Sequence, residues 1–367
     1  MINKSNIVEV SYCSTMVGSL TLTPNHLAAF EYDPDYLANG VSISPFYLPL
    51  KPGVFIAKRE PFRGLFGVFN DSLPDGWGAL LTDRLLLKHK IPIENVNFLD
   101  RLFLIGDNGM GALTYKPKWD IKPKDVSSIT DFDIIAKEVE QILQNNYSGN
   151  IENLYNKGGS SGGARPKILV NIDNRDWLIK FRASSDPQNI GKIEYDYSIA
   201  AKKCGLIMTE TKLFNDKYFG TERFDKVGSN RFHIHSASGL LYASYRYPSL
   251  DYIELIKATF ALTKDIEEVL MMFRLMVFNV LTKNRDDHAK NFSFMLKNSK
   301  WTLSPSYDLV LSNGFNGEHT TTVAGSGNPT KKDIFEVVNE TELPEKRANI
   351  IFDEVFENTR EIAHYFV

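Results

Sequence analysis

The sequence predicts an α+β chain in two lobes, a small β-rich one followed by a mostly helical one. Three observations predict it. Short segments alternating apolar and polar residues crowd the first half. A glycine-serine loop, NKGGSSGGARPK (156–167), leads into a strand hairpin. A long apolar run, EVLMMFRLMVFNVLT (268–282), dominates the second half. A glycine loop and small sheet followed by helices make two cores with a cleft between them.

In chain order, VEVSYC, VGSLTLT and LAAFEYD alternate as half-buried strands do, and Asn39-Gly40 marks a turn. In GVFNDSLPDGWGALLTDRLLLKHK, Pro74 and Asp75 sit where a helix begins, and the apolar spacing runs on to about Leu87. Residues 99–115 hold the turn GDNGMGA and then a strand at ALTY. TDFDIIAKEVEQILQNN (130–146) has helical periodicity. KPKWDIKPKD (116–125), with two Lys-Pro pairs, reads as a linker. KILVNI, the turn DNRD and WLIKF form a hairpin; IEYDYSIAAKKCG (193–205) is a helix with Gly205 just past its end. TETKLFNDKYFGTERF supplies two strands around Asn215-Asp216, and beyond about residue 245 helices prevail, apart from NFSFMLKNSKWTLSPSYD.

Composition bounds the function. The 367 residues are 43% hydrophobic and 24% charged, an ordinary globular balance. The net charge of −3 gives no global basic field for nucleic acid or an acidic membrane. Cys13 and Cys204 are far apart and form no metal-type cluster, as expected of two plain thiols in a reducing compartment. The N-terminus lacks an apolar core behind a basic segment, so no secretory signal is expected. The run 268–282 is shorter than a membrane span and carries Arg274, so it reads as a core helix. A soluble, cytoplasmic protein is expected.

Directly after that helix comes NRDDHAKN (284–291). A solvated turn needs one or two polar groups, whereas phosphoryl transfer needs a carboxylate beside the accepting hydroxyl and oxygen ligands for magnesium. Asp286 and Asn291 have the D-x-x-x-x-N spacing of a kinase catalytic loop, with Asp286 facing the hydroxyl and Asn291 on the metal. The outward run NFSFML, a turn at KNSK and the return WTLSPSYD would bring Asp308 back as the second metal ligand. The spacing alone arises freely by chance in polar turns. Its weight comes from what precedes it. Lys180 sits in the strand WLIKF after the glycine loop, where a kinase holds the nucleotide's α- and β-phosphates, and Glu194 on the next helix could pair with it.

The weaker pieces fall into the same order. Ser161, Gly162 and Gly163 lie in a loop whose backbone N–H groups could approach phosphates, although GGSSGGAR is neither GxGxxG nor GxxxxGK[ST] and could be a flexible linker. TERFD (221–225) occupies the position of a hinge, where Glu222 and Phe224 could pair with adenine or simply end a strand. His288 has no partner at metal-ligand spacing, so a loop-shaping role is expected; Asp287 and Lys290 carry no assigned role.

With these pieces placed, the chain resembles the HipA family of serine/threonine kinases, the toxin halves of bacterial toxin–antitoxin pairs. FEYDPDYLANG…SPFYLPL and GVFNDSLPDGWG resemble its N-terminal region, SSGGARPK its phosphate loop, WLIKF its lysine strand and IEYDYSIAAKKCGL its first kinase helix. TERFD resembles its hinge, RDDHAKNFSF its catalytic loop and LSPSYDL its metal-binding segment. The resemblance implies a protein-kinase-like fold of three parts: an accessory N-terminal subdomain over 1–120, a nucleotide lobe over 121–225 and a helical lobe over 226–367. It implies ATP and Mg2+ as cofactors, Asp286 as the catalytic aspartate, Asn291 and Asp308 as metal ligands, and Lys180 on the phosphates. Glu222 and Phe224 would be the adenine-side hinge. Family members autophosphorylate a phosphate-loop serine, and Ser160 (or Ser161 beside it) is the matching position.

The usual partner is a small helix-turn-helix antitoxin, HipB-like, through which DNA would be contacted only indirectly. Some members phosphorylate an aminoacyl-tRNA synthetase; here only the substrate class, a cellular protein, carries over. Arg165-Pro166 stands where other members often have Gln-Glu, so loop control could differ. Two other readings stay open: a kinase of a small molecule or lipid, and a catalytically silent kinase fold acting as a binding module.

Overall fold

The computed structural model describes residues 6–119, 131–146, 149, 151–160 and 162–366. Of the stretch read as a linker, residues 120–125 lie outside that set. The chain divides into two compact units, one of residues 1–191 and 212–233, the other of 192–211 and 234–367. The fold is mixed α+β.

Among the described residues the first unit holds two larger antiparallel sheets and the short antiparallel pair Lys226–Val227 and Asn230–Arg231. In the five-stranded one the order is Val54–Ile56, Ala28–Tyr32, Thr15–Leu22, Ile7–Tyr12 and Leu113–Lys116. Its alternation puts Val8, Val10, Leu20 and Phe30 fully inside. The four-stranded sheet runs Lys167–Ile172, Arg175–Lys180, Tyr218–Glu222 and Thr211–Phe214. Its first hairpin turns at Asp173 and Asn174, both at positive φ (51° and 61°), the two-residue turn whose twist suits a tight hairpin.

Three helices, Gly76–Lys88, Phe132–Leu143 and Ile151–Gly158, bury Leu81, Leu85, Ile135, Val139 and Leu154 in one core with Ile168 and Ile179 of that sheet. The helix Gly76–Lys88 comes from the N-terminal part of the chain, yet its apolar face belongs to the core beneath the glycine loop. Each such buried leucine contributes roughly 1.5–3 kcal/mol.

In the second unit the helix Ile266–Leu281 is capped by Asp265, which accepts the Glu267 N–H, and is buried on most sides. It packs with the helices Tyr252–Thr263 and Glu345–Thr359. The strands Ser293–Lys297 and Lys300–Leu303 pair antiparallel around Asn298-Ser299, the turn anticipated at KNSK. Among the described residues no helix is long and apolar enough to cross a membrane.

Three expectations need correction. Residues 98–105 form a helix, Phe98–Ile105, fixed by a reciprocal capping pair of Asn97 and Asp100, ahead of the turn GDNGMGA. The glycine-serine stretch begins inside the helix Ile151–Gly158, too short to show a period but anchored by Ile151 and Leu154. The region beyond 245 is less helical than its composition suggested. Residues 304–330 are irregular apart from the short strand Thr321–Thr322, rich in Ser, Asn and Gly, and pinned by hydrogen bonds to the NRDD segment.

Candidate active site

The loop after the buried helix separates two adjacent aspartates. Asp287 is fully buried, whereas Asp286 is exposed. The Asp287 carboxylate accepts from the Tyr252 hydroxyl at 3.0 Å, from His319 Nδ1 at 2.9 Å, and from the Thr320 and Thr321 N–H groups at 2.9 and 3.2 Å. Behind Tyr252, Asn279 Nδ2 donates to its hydroxyl, and Asn284 Nδ2 donates to Asn279 Oδ1. This buried chain ties helix, loop and the segment 319–321 together. Burial first, then the Asp287 charge, hold the Tyr252 pKa well above the usual value, so its hydroxyl stays a donor. With one aspartate gripped from four sides, its neighbour is turned to the surface.

The rest of the loop is local. His288 caps a single 3-10 turn, Ala289–Asn291, accepting the Lys290 N–H on Nδ1. Asn291 folds back, its Nδ2 donating to the Asp286 carbonyl at 2.6 Å. The hairpin then returns the chain. The Tyr307 hydroxyl donates to the Lys290 carbonyl at 2.6 Å and lies 2.6 Å from Ser293 Oγ. The residue before Asp308 is thereby tied to the residue before Asn291. Asp308 has φ 58°, a conformation uncommon for a side-chain-bearing residue and found where the surroundings enforce it.

In the first unit the glycine loop is held by the start of the helix Gly76–Lys88. Asp75 Oδ1 accepts the Gly163 N–H, and the Gly163 carbonyl accepts the Trp77 N–H at 3.0 Å. The Trp77 indole donates to the Lys167 carbonyl at 3.0 Å, and Lys167 Nζ to the Gly162 carbonyl at 2.6 Å. The two segments touch so closely that a Cβ on Gly76 would lie 2.5 Å from the Gly163 oxygen. Both glycines have positive φ, 43° and 88°, a conformation that favours glycine.

Lys180 pairs in register with Lys167 across the hairpin, and both are nearly buried, at 8% and 5% exposure. Two lysines this deep need anionic or carbonyl company. Lys180 Nζ lies 5.6 Å from the Phe219 ring centroid. Arg165, one of the residues that departs from the usual pattern, forms a two-pronged ion pair with Asp186 at 3.1–3.3 Å. Ser160 ends the turn after the helix Ile151–Gly158, and Ser161 lies outside the described residues.

Glu222 ends its strand opposite Trp177, and the Arg223 N–H donates to the Asp176 carbonyl at 2.8 Å. Phe224 follows in irregular chain. Next to it, Asp225 is buried, takes both prongs of Arg223, and accepts the Gly111 N–H at 2.7 Å. Arg231 Nη1 donates to the Asp107 carbonyl at 2.6 Å, and Nη2 to that of Gly109. The turn GDNGMGA is thus clasped to the segment after the expected hinge.

Comparison with known proteins places this geometry. The HipA-like C-terminal domain matches residues 159–363, more than half of the chain, and the HipA N-terminal domain matches residues 8–116. The chain belongs to the HipA family. Among solved structures it is similar to HipA of Shewanella oneidensis MR-1, in a complex with HipB and its operator DNA. That likeness has a TM-score of 0.74 at 18% identity, covering 97% of this chain and 90% of that one. A curated relative from Sinorhizobium fredii, named "Putative kinase Y4dM", is 21% identical over 84% of this chain and 77% of its own. The fold is therefore the kinase-like HipA fold.

In HipA terms, Asp286, Asn291, Asp308 and Glu194 fall in the second unit, and Ser160, Gly162, Gly163, Lys180, Glu222 and Phe224 in the first. Within the second, Asn291 meets the Asp286 backbone, and Tyr307 ties Asp308's segment to the same turn. Glu194, on the helix Ile190–Lys203, is buried. Sequence reasoning took Asp75 only as a helix start and passed over Trp77, Lys167, Tyr307 and the anchoring role of Asp287. Lys167 alone had a signal: counting outward from a two-residue turn at Asp173-Asn174 pairs it with Lys180.

The donor set fits a hard cation. Asn291's amide nitrogen is committed to the Asp286 carbonyl, which leaves its amide oxygen as the atom that could meet a cation. Among the described residues no cluster of three or more His, Cys, Asp or Glu forms an all-protein cage. An amide oxygen and one carboxylate, completed by substrate phosphates, is a set that magnesium accepts.

Proposed function

We propose that this HipA-family chain is an ATP-dependent protein serine/threonine kinase that acts on a cellular protein and on its own loop serine, Ser160 or Ser161. The observation that carries the reading is the split of Asp286 from Asp287: one carboxylate is consumed by four donors, and the next is presented to solvent. Asp286 would orient the accepting hydroxyl and take its proton as that oxygen bonds to the γ-phosphorus and ADP leaves. Lys180 would hold the α- and β-phosphates, Glu194 would orient Lys180, and Gly162 and Gly163 would cradle the tail. Backbone groups of Glu222 and Phe224 would meet adenine. Asn291 and Asp308 would hold Mg2+, which when bound neutralises phosphate charge.

The structure of the Shewanella relative contains HipB and operator DNA. By that likeness this chain would act as the toxin of a pair, with a small helix-turn-helix antitoxin as partner and DNA reached only through it. Incubation of dephosphorylated protein with labelled ATP and magnesium tests the reading. Label is expected on Ser160 or Ser161, lost in Asp286→Asn and Asp308→Asn. Label that persists in both variants overturns the assignment of roles. Nucleotide binding without transfer, to itself or to proteins of an extract, would leave a silent binding module.

A further inference from the structure

We propose that Asp75, in the N-terminal HipA domain, is the positioning residue of the glycine loop. The proposal deepens the kinase reading, because it concerns the loop that reading assigns to nucleotide phosphates. A run of small residues has many backbone conformations and loses more freedom on ordering than any other, so something must hold it if it is to meet a ligand preformed. Three nearby hydrogen bonds fix carbonyls: Trp77 N–H on Gly163, the Trp77 indole on Lys167, and Lys167 Nζ on Gly162. The Asp75 carboxylate takes an N–H of the loop, that of Gly163. It does so while Gly163 returns its carbonyl to Trp77, so the same residue is held through both its N–H and its carbonyl. An anionic acceptor makes this a charge-assisted bond, roughly twice as strong as a neutral one.

The grip is supported from below. Trp77 is buried in the core that carries the two lysine-bearing strands, and backbone of the loop blocks any Cβ at Gly76. Asp75 therefore stands on a rigid base, and loop order depends on a domain outside the segment matched by the C-terminal HipA domain. Its effect would be on how readily the loop receives phosphate, without contact with the reacting atoms.

Two variants test it in the full-length chain. Asp75→Ala removes the acceptor; Asp75→Asn keeps an oxygen for the Gly163 N–H. Hydrogen exchange of the peptide spanning 159–166, without nucleotide, should quicken about tenfold in Asp75→Ala and stay near wild type in Asp75→Asn. ATP binding, measured directly, should weaken about tenfold in Asp75→Ala, with transfer at saturating ATP little changed, and Asp75→Asn should restore most of it. Circular dichroism separates loop loosening from unfolding. Unchanged exchange in a folded Asp75→Ala protein overturns the proposal, as does ATP binding that tightens in either variant. If exchange responds as expected and wild type binds no ATP, loop positioning stands and the kinase reading falls.

Discussion

Replacing Asp287 should damage this protein more than replacing almost any surface carboxylate. The side chain is fully buried, and its two oxygens take four hydrogen bonds, two from backbone N–H groups and two from Tyr252 and His319. Hydrogen bonds to a charged group are worth about 1.5–3 kcal/mol each, but their sum overstates the loss because the charge itself was costly to bury. Removing one partner of a buried charged network costs about 3–5 kcal/mol. That range is expected for Asp287→Ala. Asp287→Asn should cost less, about 1–2 kcal/mol: its oxygen can keep Thr320 and Thr321, while its NH2 group faces a hydroxyl and an imidazole nitrogen able to accept.

The kinetic effect follows from position. Asp286 is covalently next to the anchor, and a shift of about 1 Å in a reacting group costs roughly a hundredfold in rate. Urea melts followed by circular dichroism give the stability, and transfer of labelled phosphate gives the rate. An Asp287→Ala protein within about 0.5 kcal/mol of wild type would refute the argument from burial. A stable protein with undiminished transfer would refute the argument from adjacency.

Other outcomes follow from the same contacts. Tyr307→Phe deletes the bond to the Lys290 carbonyl and the contact with Ser293; it should cost about 1 kcal/mol in a urea melt and slow transfer at saturating ATP. Asp225→Ala removes the buried acceptor of Gly111 and Arg223, and should cost about 3 kcal/mol and raise the KM for ATP through the adjacent segment 222–224. At alkaline pH the buried tyrosines decide. Burial pushes Tyr32 and Tyr155 up to about 12 from an ordinary 10, so between those values the unfolded chain releases protons that the folded chain keeps. Stability should be fully present below pH 10 and decline above it by up to about 1.4 kcal/mol per pH unit for each such tyrosine, read as a falling melting temperature. A flat profile from pH 9 to 12 would contradict this.

Much of the fold was legible because it is local. The hairpin Lys167–Lys180 follows from a turn that tolerates positive φ, and the helix Ile266–Leu281 from an apolar run behind an acidic cap. The helices Phe98–Ile105 and Ile151–Gly158 were not, because two turns of helix carry too little periodicity to be separated from loop. The irregular 304–330 segment owes its course to Asp287, Asn284 and Arg285, which lie earlier in the chain, and so left no local trace.

By itself the sequence determined that a carboxylate loop follows a buried helix, that a lysine strand follows a glycine loop, and that an aspartate returns on a hairpin. Its D-x-x-x-x-N spacing singled out Asp286, but it could not say what would hold Asp287 inside, since the groups that do so lie far along the chain. Tertiary structure decided that, by bringing Tyr252, His319 and the amides of 320–321 onto Asp287. It also decided that the glycine loop is held from the N-terminal domain, since Asp75 and Gly163 are 88 residues apart in the chain. Hydrogen bonds between distant segments obey distance in space, and a spacing along the chain does not record it.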